Sequence, residues 1–306
     1  MAFLNALPAA VAQGLIWGLM AIGIYISYKI LDIADLTVDG SLATGACVCA
    51  VMLNAQLSPW LCLLVALVAG AVTGIVTGLL HTRLGIPSIL AGILTQLMLY
   101  TVNLLTLDGK SMMSFDTRST NLVVNMIDNK MAVVVLIGIV AVVIVGLYLF
   151  FYTQVGLTLK STGDNPDMSR AQGVNVDRNK VIGLAISNAI VALAGALLAQ
   201  YKGFGDINDG RGAIVVGLAA IFIGLSVSLK IKPNFVVSLI GVVGGGIVYY
   251  VIYTLVITLD IVDTNYLKML SALIVALFIG IPYLKGKYFT KYKPLPVKQT
   301  GGDEDA

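Results

Sequence analysis

The chain is 306 residues long, 58% hydrophobic and 11% charged, with a net charge of +3 and a mean hydropathy of +0.94. Soluble domains are about one quarter charged, so this composition excludes a chain that covers itself with a polar surface; lipid must solvate most of it. No Asp, Glu, Lys or Arg interrupts 1–28, 40–82, 84–107, 131–159, 181–201, 212–229, 233–259 or 269–284. A transmembrane barrel would instead alternate over strands of about ten residues, so a barrel and a soluble enzyme are both excluded.

Crossing the hydrocarbon as a helix takes about 20 apolar residues, and helix satisfies every backbone donor within its own segment. The run 40–82 holds two such lengths and breaks at 54–59, around Ser58 and Pro59. The reading is an all-α, polytopic transmembrane helical bundle of about nine spans, at 9–31, 37–55, 60–80, 86–107, 131–152, 181–201, 212–229, 234–258 and 264–284. The first lacks the basic flank of a cleavable secretory signal and is read as a retained helix. The last extends past Lys268, whose long stem can snorkel to the interface. One transmembrane domain thus covers 1–284, and 285–306, basic and then acidic, is expected to be a solvated, disordered tail.

Charge asymmetry gives the orientation. With the loops before Met131 and around Asp206 and Asp260 taken as external, Lys110, Arg118, Lys130, Lys202, Arg211 and Lys268 lie outside. The other basic residues, including Lys285, Lys287, Lys291, Lys293 and Lys298, lie inside. The positive-inside bias then puts the N-terminus out and the C-terminus in the cytoplasm. Cys47, Cys49 and Cys62 fall in apolar spans as small hydrophobes, with neither disulfide nor metal spacing.

Small residues recur at helical spacing. Gly70, Gly74 and Gly78 share a face of the third span, and Ala185, Ala189, Ala192, Ala196 and Ala199 form a stripe on the sixth. Both are expected to let helix backbones approach closely. A short echo also links Asp35-Leu-Thr-Val-Asp39-Gly-Ser41 to Asp206-Ile-Asn-Asp209-Gly-Arg211. Each precedes a small-residue helix, at opposite ends of their spans, as an inverted repeat requires.

The connection 153–180 holds the most informative stretch. Its centre reads as a complete short helix: Asp164 before it, Asn165 as N-cap, Pro166 at the first helical position, Asp167 favourable to the dipole, and Gly173 as the stop. Two turns have no independent stability in water. Met168 and Ala171 offer an apolar knob on one face beside Arg170. The residues alone leave two readings open, a capped loop helix lying on its own bundle or a docking helix that inserts into a cytoplasmic partner.

The stretch from Gly156 to Gly224 resembles the permease subunits of ATP-binding-cassette importers of the ribose and branched-chain amino-acid type. These carry a similar Gly…Asn-Pro…Ala…Gly-Val-Asn-Val loop, an Ala/Gly-rich span, and a helix like Gly212-Ala-Ile-Val-Val-Gly-Leu-Ala-Ala-Ile-Phe-Ile-Gly224. Leu31-Asp-Ile-Ala-Asp-Leu-Thr-Val-Asp-Gly-Ser41 is similar to the family's stretch opening its second helix. Within the family the chain is most similar to tryptophan/tyrosine permeases. The resemblance implies a type II-like permease fold with an inverted repeat and a second helix that is commonly interrupted. It also implies a homodimer in a bacterial cell membrane, two cytoplasmic ATPase subunits that dock on 164–173, and an extracytoplasmic solute-binding protein. Asp39-Gly40 departs from sugar permeases, which usually have a small or apolar residue before the Gly, and this counts against a sugar; the resemblance implies aromatic amino acids first, then other amino acids, nucleosides or small sugars.

The chain carries no ATPase of its own. Gly109-Lys110-Ser111 is only the tail of a Walker A motif, because Leu104 stands where its first Gly is needed and no strand precedes it. No cofactor is expected on this chain, ATP belonging to the partner, and no nucleic acid is a partner. The competing mechanism is an ion-coupled secondary carrier, which places carboxylates deep in its helices. Here the acidic residues read as loop, tail or inner-end positions, with Asp32, Asp35 and Asp39 among the last. His81 beside Arg83 reads as an interfacial side chain. The candidate translocation path is built from polar residues: Gln96, Tyr100 and Asn103 on one face of the fourth span with Gly92, together with Asp39, Ser41, Thr44 and Asn188. Tyr249, Tyr250 and Tyr253 either line a path or pack against lipid.

Overall fold

A computed structural model describes residues 2–117, 122–228 and 234–258, together with 272, 273, 276 and 280. The ninth expected span lies outside the described residues except at those last four positions, which are helical, as does the whole of the expected tail. Eight of the described helical segments are long and apolar enough to cross a membrane. They are α1 (Ala2–Tyr25), prolonged by a π-helical turn at Ile26–Ile30, α2 (Thr37–Asn54), α3 (Pro59–Thr82), α4 (Ser88–Thr106), α5 (Asn129–Phe151), α8 (Val176–Lys202), α9 (Ala213–Ser228) and α10 (Phe235–Thr258). The chain is therefore an all-α polytopic bundle, as its hydropathy requires.

Between α5 and α8 the connection is more ordered than its composition suggests. It forms α6 (Gln154–Asp164) and α7 (Pro166–Ala171). The charge-free run 131–159 conceals the boundary, because Thr153 caps α6 by accepting from the Gly156 amide at 3.3 Å. On the opposite face a two-stranded ribbon pairs β1 (Met112–Ser114) with β2 (Phe204–Asp206), antiparallel. This ribbon, the turn at 55–58 and the start of α1 share the N-terminal face of the bundle. The turn at 83–87, α6 and α7 share the other.

Backbone approach through glycine fixes the central packing. α8 runs through the middle of the bundle and is sandwiched between α2 and α3. Gly70, Gly74 and Gly78 of α3 lie against the backbone of α8 at Asn188, Leu184 and Val181, and Gly45 of α2 lies against Ala192. Side chains there would drive the helices apart, so the Gly stripe and the Ala stripe are close-packing faces. α1 and α10 repeat the device, with Gly14 against Ile247 and Gly246 against Gly18. The pair α3 with α8 and the pair α10 with α1 are thus both closed through glycine.

Two connections enter the bundle, the first of them irregular backbone. Residues 31–36 follow the π-helical turn and climb back to the start of α2, and 203–212 descend to the start of α9. Gly203 reverses the chain at φ 84°, in the left-handed region that only glycine enters freely. Irregular backbone is tolerated at such depth only inside protein or along a cavity. Here Gly210 of the second connection packs on the carbonyl of Asp39 in the first turn of α2. α2 itself is continuous from Thr37, so the interruption expected of the second helix lies before it.

Candidate translocation cavity and docking helix

Asp35 and Asp39 sit deeper than the sequence suggests. Asp35 is 3% exposed and accepts from the Asn188 amide at 2.7 Å and from the Thr37 amide at 2.9 Å. With a rise of 1.5 Å per residue, Asn188 stands about 18 Å from one end of α8 and about 21 Å from the other. Asp35 is therefore at mid-depth, not at an inner helix end. The physical reason is the doubling back of 31–36, which carries a carboxyl next to a charged interface sequence into the interior. Asp39 does the same one turn later: its carboxylate accepts from Gly212 at 3.0 Å and Ile214 at 2.9 Å. An acidic group near helix-start donors is stabilised by them, so one copy of the echoed motif caps the helix that the other copy opens.

Next to this junction lies a cavity of about 400 Å³, lined by Asp39, Gly40, Ala43, Gln96, Leu97, Tyr100, Asn103, Ile207, Gly210 and Arg211. Gly92 brings α4 against the backbone of Leu36 and Thr37, which sets the polar face of α4 over the start of α2. Of the expected path residues, Asp39, Gln96, Tyr100 and Asn103 come together here. Ser41, Thr44 and Asn188 do not. Ser41 bonds Asn188 at 2.6 Å and Thr73 at 2.7 Å, all three buried. Thr44 bonds back to the Gly40 carbonyl at 2.9 Å. A neighbouring set joins Thr37 to Thr77 and Thr77 to Thr95. These are interhelical ties among α2, α3, α4 and α8.

Arg211 is the charged cavity residue outside the expected path set, since in the sequence it reads only as an external loop charge. Its position in the echoed motif, just before a small-residue helix, was the available signal. The guanidinium lies over the Tyr100 ring, 5.8 Å from its centroid. Among the described residues no carboxylate pairs with it; the ion pair at 2.7 Å nearby joins Lys202 to Asp209. Tyr249, Tyr250 and Tyr253 form a cluster on α10 away from this cavity, with Tyr250 also against Trp17.

On the other face the short helix has the expected form. Asn165 caps it, accepting from the Met168 amide at 3.0 Å, Pro166 opens it, and Gly173 leaves it at φ 81°. Asp164 ends α6 and Arg170 bridges Asp167 and Asp177 at 3.5 and 3.6 Å. Ser169 is buried and faces Ser161 of α6, whereas Met168 is 60% exposed and Ala171 is exposed. Thr162 and Asn179, bonded at 3.0 Å, and Gly163, packed on the Ile30 carbonyl, seat the α6–α7 unit on the bundle. His81 lies at this face, within 3.2 Å of Lys180.

Known protein sequences match this one over almost the whole chain. A family model described as "Branched-chain amino acid transport system / permease component" matches residues 7–285. The chain is 34% identical to a tyrosine transport system permease protein of Clostridioides difficile, over 90% of this chain and 91% of that protein. It is 36% identical to an uncharacterized protein of Rickettsia prowazekii, over 92% and 99% respectively. A xylose transport system permease protein of Haemophilus influenzae is 35% identical over 26% of this chain and 22% of its own. No solved structure matches. The bundle, the paired helix starts around the cavity and the match along its length make this a multi-pass membrane protein, and the chain belongs to the permease component family of branched-chain amino acid transport systems.

Proposed function

We propose that this chain is the permease subunit of an ATP-binding-cassette importer that carries an amino acid, aromatic by preference, into a bacterial cell. Two copies form the pathway, two cytoplasmic ATPase subunits dock on the face of α6 and α7, and an extracytoplasmic binding protein delivers solute to the N-terminal face. The name of the tyrosine permease relative supports the solute class. Lys29, Arg83, Lys160, Arg170, Arg178 and Lys180 gather on the α7 face, which supports a cytoplasmic assignment of that side and an external N-terminus.

The observation that carries the reading is the exposed knob of α7. A two-turn helix with its polar Ser169 turned inward and Met168 and Ala171 turned outward is built to be covered by something other than its own bundle. ATP binding would close the ATPases and move the two permeases between inward- and outward-open states through these helices. Asp164, Asn165, Pro166, Arg170 and Gly173 shape and hold the helix, and Met168 and Ala171 make the contact. In Ala171→Asp an unpaired charge is buried at that contact, which costs several kcal/mol. Loss of ATPase co-purification and of uptake is expected at normal membrane expression. Normal coupling in this variant would move the docking site elsewhere, the connection 230–233 being the next candidate.

Asp35 supplies a specific reason to keep an ion-coupled carrier as the second reading, since mid-depth carboxyls mark ion pathways. It is tied to Asn188 and Thr37 and does not line the cavity, which favours the importer. Uptake that survives ATP depletion and collapses with the ion gradient would reverse that preference.

A further inference from the structure

Asn103 is 1% exposed and its side-chain amide nitrogen has no hydrogen-bond partner. An unsatisfied buried donor is destabilising, so such a group in a lipid-solvated bundle asks for a reason. Asn103 lines the cavity that Arg211 also lines, and Arg211 has no carboxylate partner among the described residues. The cavity is thus lined by a guanidinium and by an asparagine whose amide nitrogen has no acceptor among the described residues. The Asp39 carboxylate lines the same cavity, and Leu97, Ile207 and the exposed edge of Tyr100 supply apolar surface.

We infer that this cavity is a solute-selecting subsite of the permease itself, in which Arg211 and Asn103 bind the carboxylate of the transported solute. Arginine matches a carboxylate with a planar fork of donors, and the buried amide adds a third. The Asp39 carboxylate accepts two backbone amides and keeps lone pairs for an ammonium group, so a zwitterion is matched at both ends. A volume of about 400 Å³ falls in the range of small-molecule sites, about 300–1,000 Å³. Selection would then occur twice, in the binding protein and again in this chain. The inference rests on reading the chain as an amino-acid permease, and it names the residues that do the second selection.

The test uses the full-length permease in lipid nanodiscs, without ATPase or binding protein, and follows binding of L-tyrosine by ligand-observed NMR. Tyramine, which lacks the carboxylate, and D-xylose serve as competitors. Wild type is expected to bind L-tyrosine and to resist both competitors. Arg211→Gln is expected to weaken binding about tenfold or more, Arg211→Lys less because it keeps the charge, and Asn103→Leu by a smaller factor than Arg211→Gln. Arg211 is exposed at the cavity rim, so its variants test binding with little risk to folding. Absence of L-tyrosine binding to wild type, unchanged binding in Arg211→Gln, or displacement by tyramine or D-xylose would overturn the inference. Failure of an ATPase to co-purify would instead sink the importer reading and leave the binding result standing.

Discussion

Asn188 of α8 and Asn103 of α4 are both withdrawn from solvent to 1% or less. Each is an asparagine in the apolar stretch of a helix, and each reads in the sequence as a lining residue. Their surroundings differ completely. Asn188 accepts from Ser41 and donates to Asp35 and to the Leu184 carbonyl, at 2.6, 2.7 and 3.0 Å. Asn103 leaves its amide nitrogen unpaired on a cavity wall. In a protein dissolved in lipid, burial does not separate structural polar groups from functional ones. Satisfaction does, because a fully bonded network fixes helix positions while an open donor waits for a partner that comes and goes.

The comparison is broken first at its satisfied end. Asn188→Leu removes a donor from Asp35 and an acceptor from Ser41, leaving a carboxyl at mid-depth with only the Thr37 amide. A loss of about 3 kcal/mol is expected, read as a large fall in the thermal midpoint of the purified permease in detergent. The double variant Asn188→Leu, Asp35→Leu takes out both partners and should recover part of that loss, since removing both members of a buried pair is far less costly than removing one. A midpoint unmoved by Asn188→Leu would mean that α8 is held by its glycine and alanine contacts alone. Ser41→Ala is milder, at about 1 kcal/mol, because Asn188 keeps its bond to Asp35 and Thr73 keeps its bond to the Gly70 carbonyl.

Much of this bundle is legible in the sequence, and the failures have physical causes. The apolar runs locate α1 to α5, α9 and α10 closely, because charges cluster at most of the turns between them and Ser58 and Pro59 mark the uncharged turn between α2 and α3. α8 begins at Val176 rather than 181: Asp177, Arg178 and Lys180 occupy its first turns, and Asn175 caps it by accepting from Arg178 at 3.0 Å. Hydropathy sees charge there, and the cap sees a helix. The face of α4 is legible too, since residues three and four apart share a side, and Gln96, Tyr100 and Asn103 do reach one cavity. Depth is not legible. A carboxyl beside a charged interface and a carboxyl carried back inside by six residues of irregular chain look the same in one dimension, so Asp35 and Asp39 read as edge residues. Whether Asn188 finds partners is equally hidden, because Asp35 and Ser41 stand about 150 residues away.

A third asparagine gives a scale for what an exposed bond contributes. Asn165 is exposed and caps α7 through the Met168 amide at 3.0 Å. Asn165→Ala removes a cap worth about 1 kcal/mol from a helix outside the membrane, so the thermal midpoint should hardly move. ATPase stimulation should fall severalfold, because a frayed helix presents Met168 and Ala171 less often. Unaltered stimulation would show that docking itself folds the helix without help from its cap.

The smallest expected effect on stability belongs to Asn103→Leu, and it is the most informative. Leucine is close to asparagine in size, adds apolar surface, and removes a donor that has no partner to lose. No bond is broken, and the desolvation penalty of the amide disappears, so the midpoint should stay put or rise by about 1 kcal/mol equivalent. Solute binding should weaken at the same time. This opposite movement of stability and function is what distinguishes an open donor from a structural one: every variant around Asn188 should lose both together. A fall in midpoint comparable with that of Asn188→Leu would show that the amide of Asn103 has a permanent acceptor, and the cavity would then be another packed interface between α2 and α4 with no role in selection.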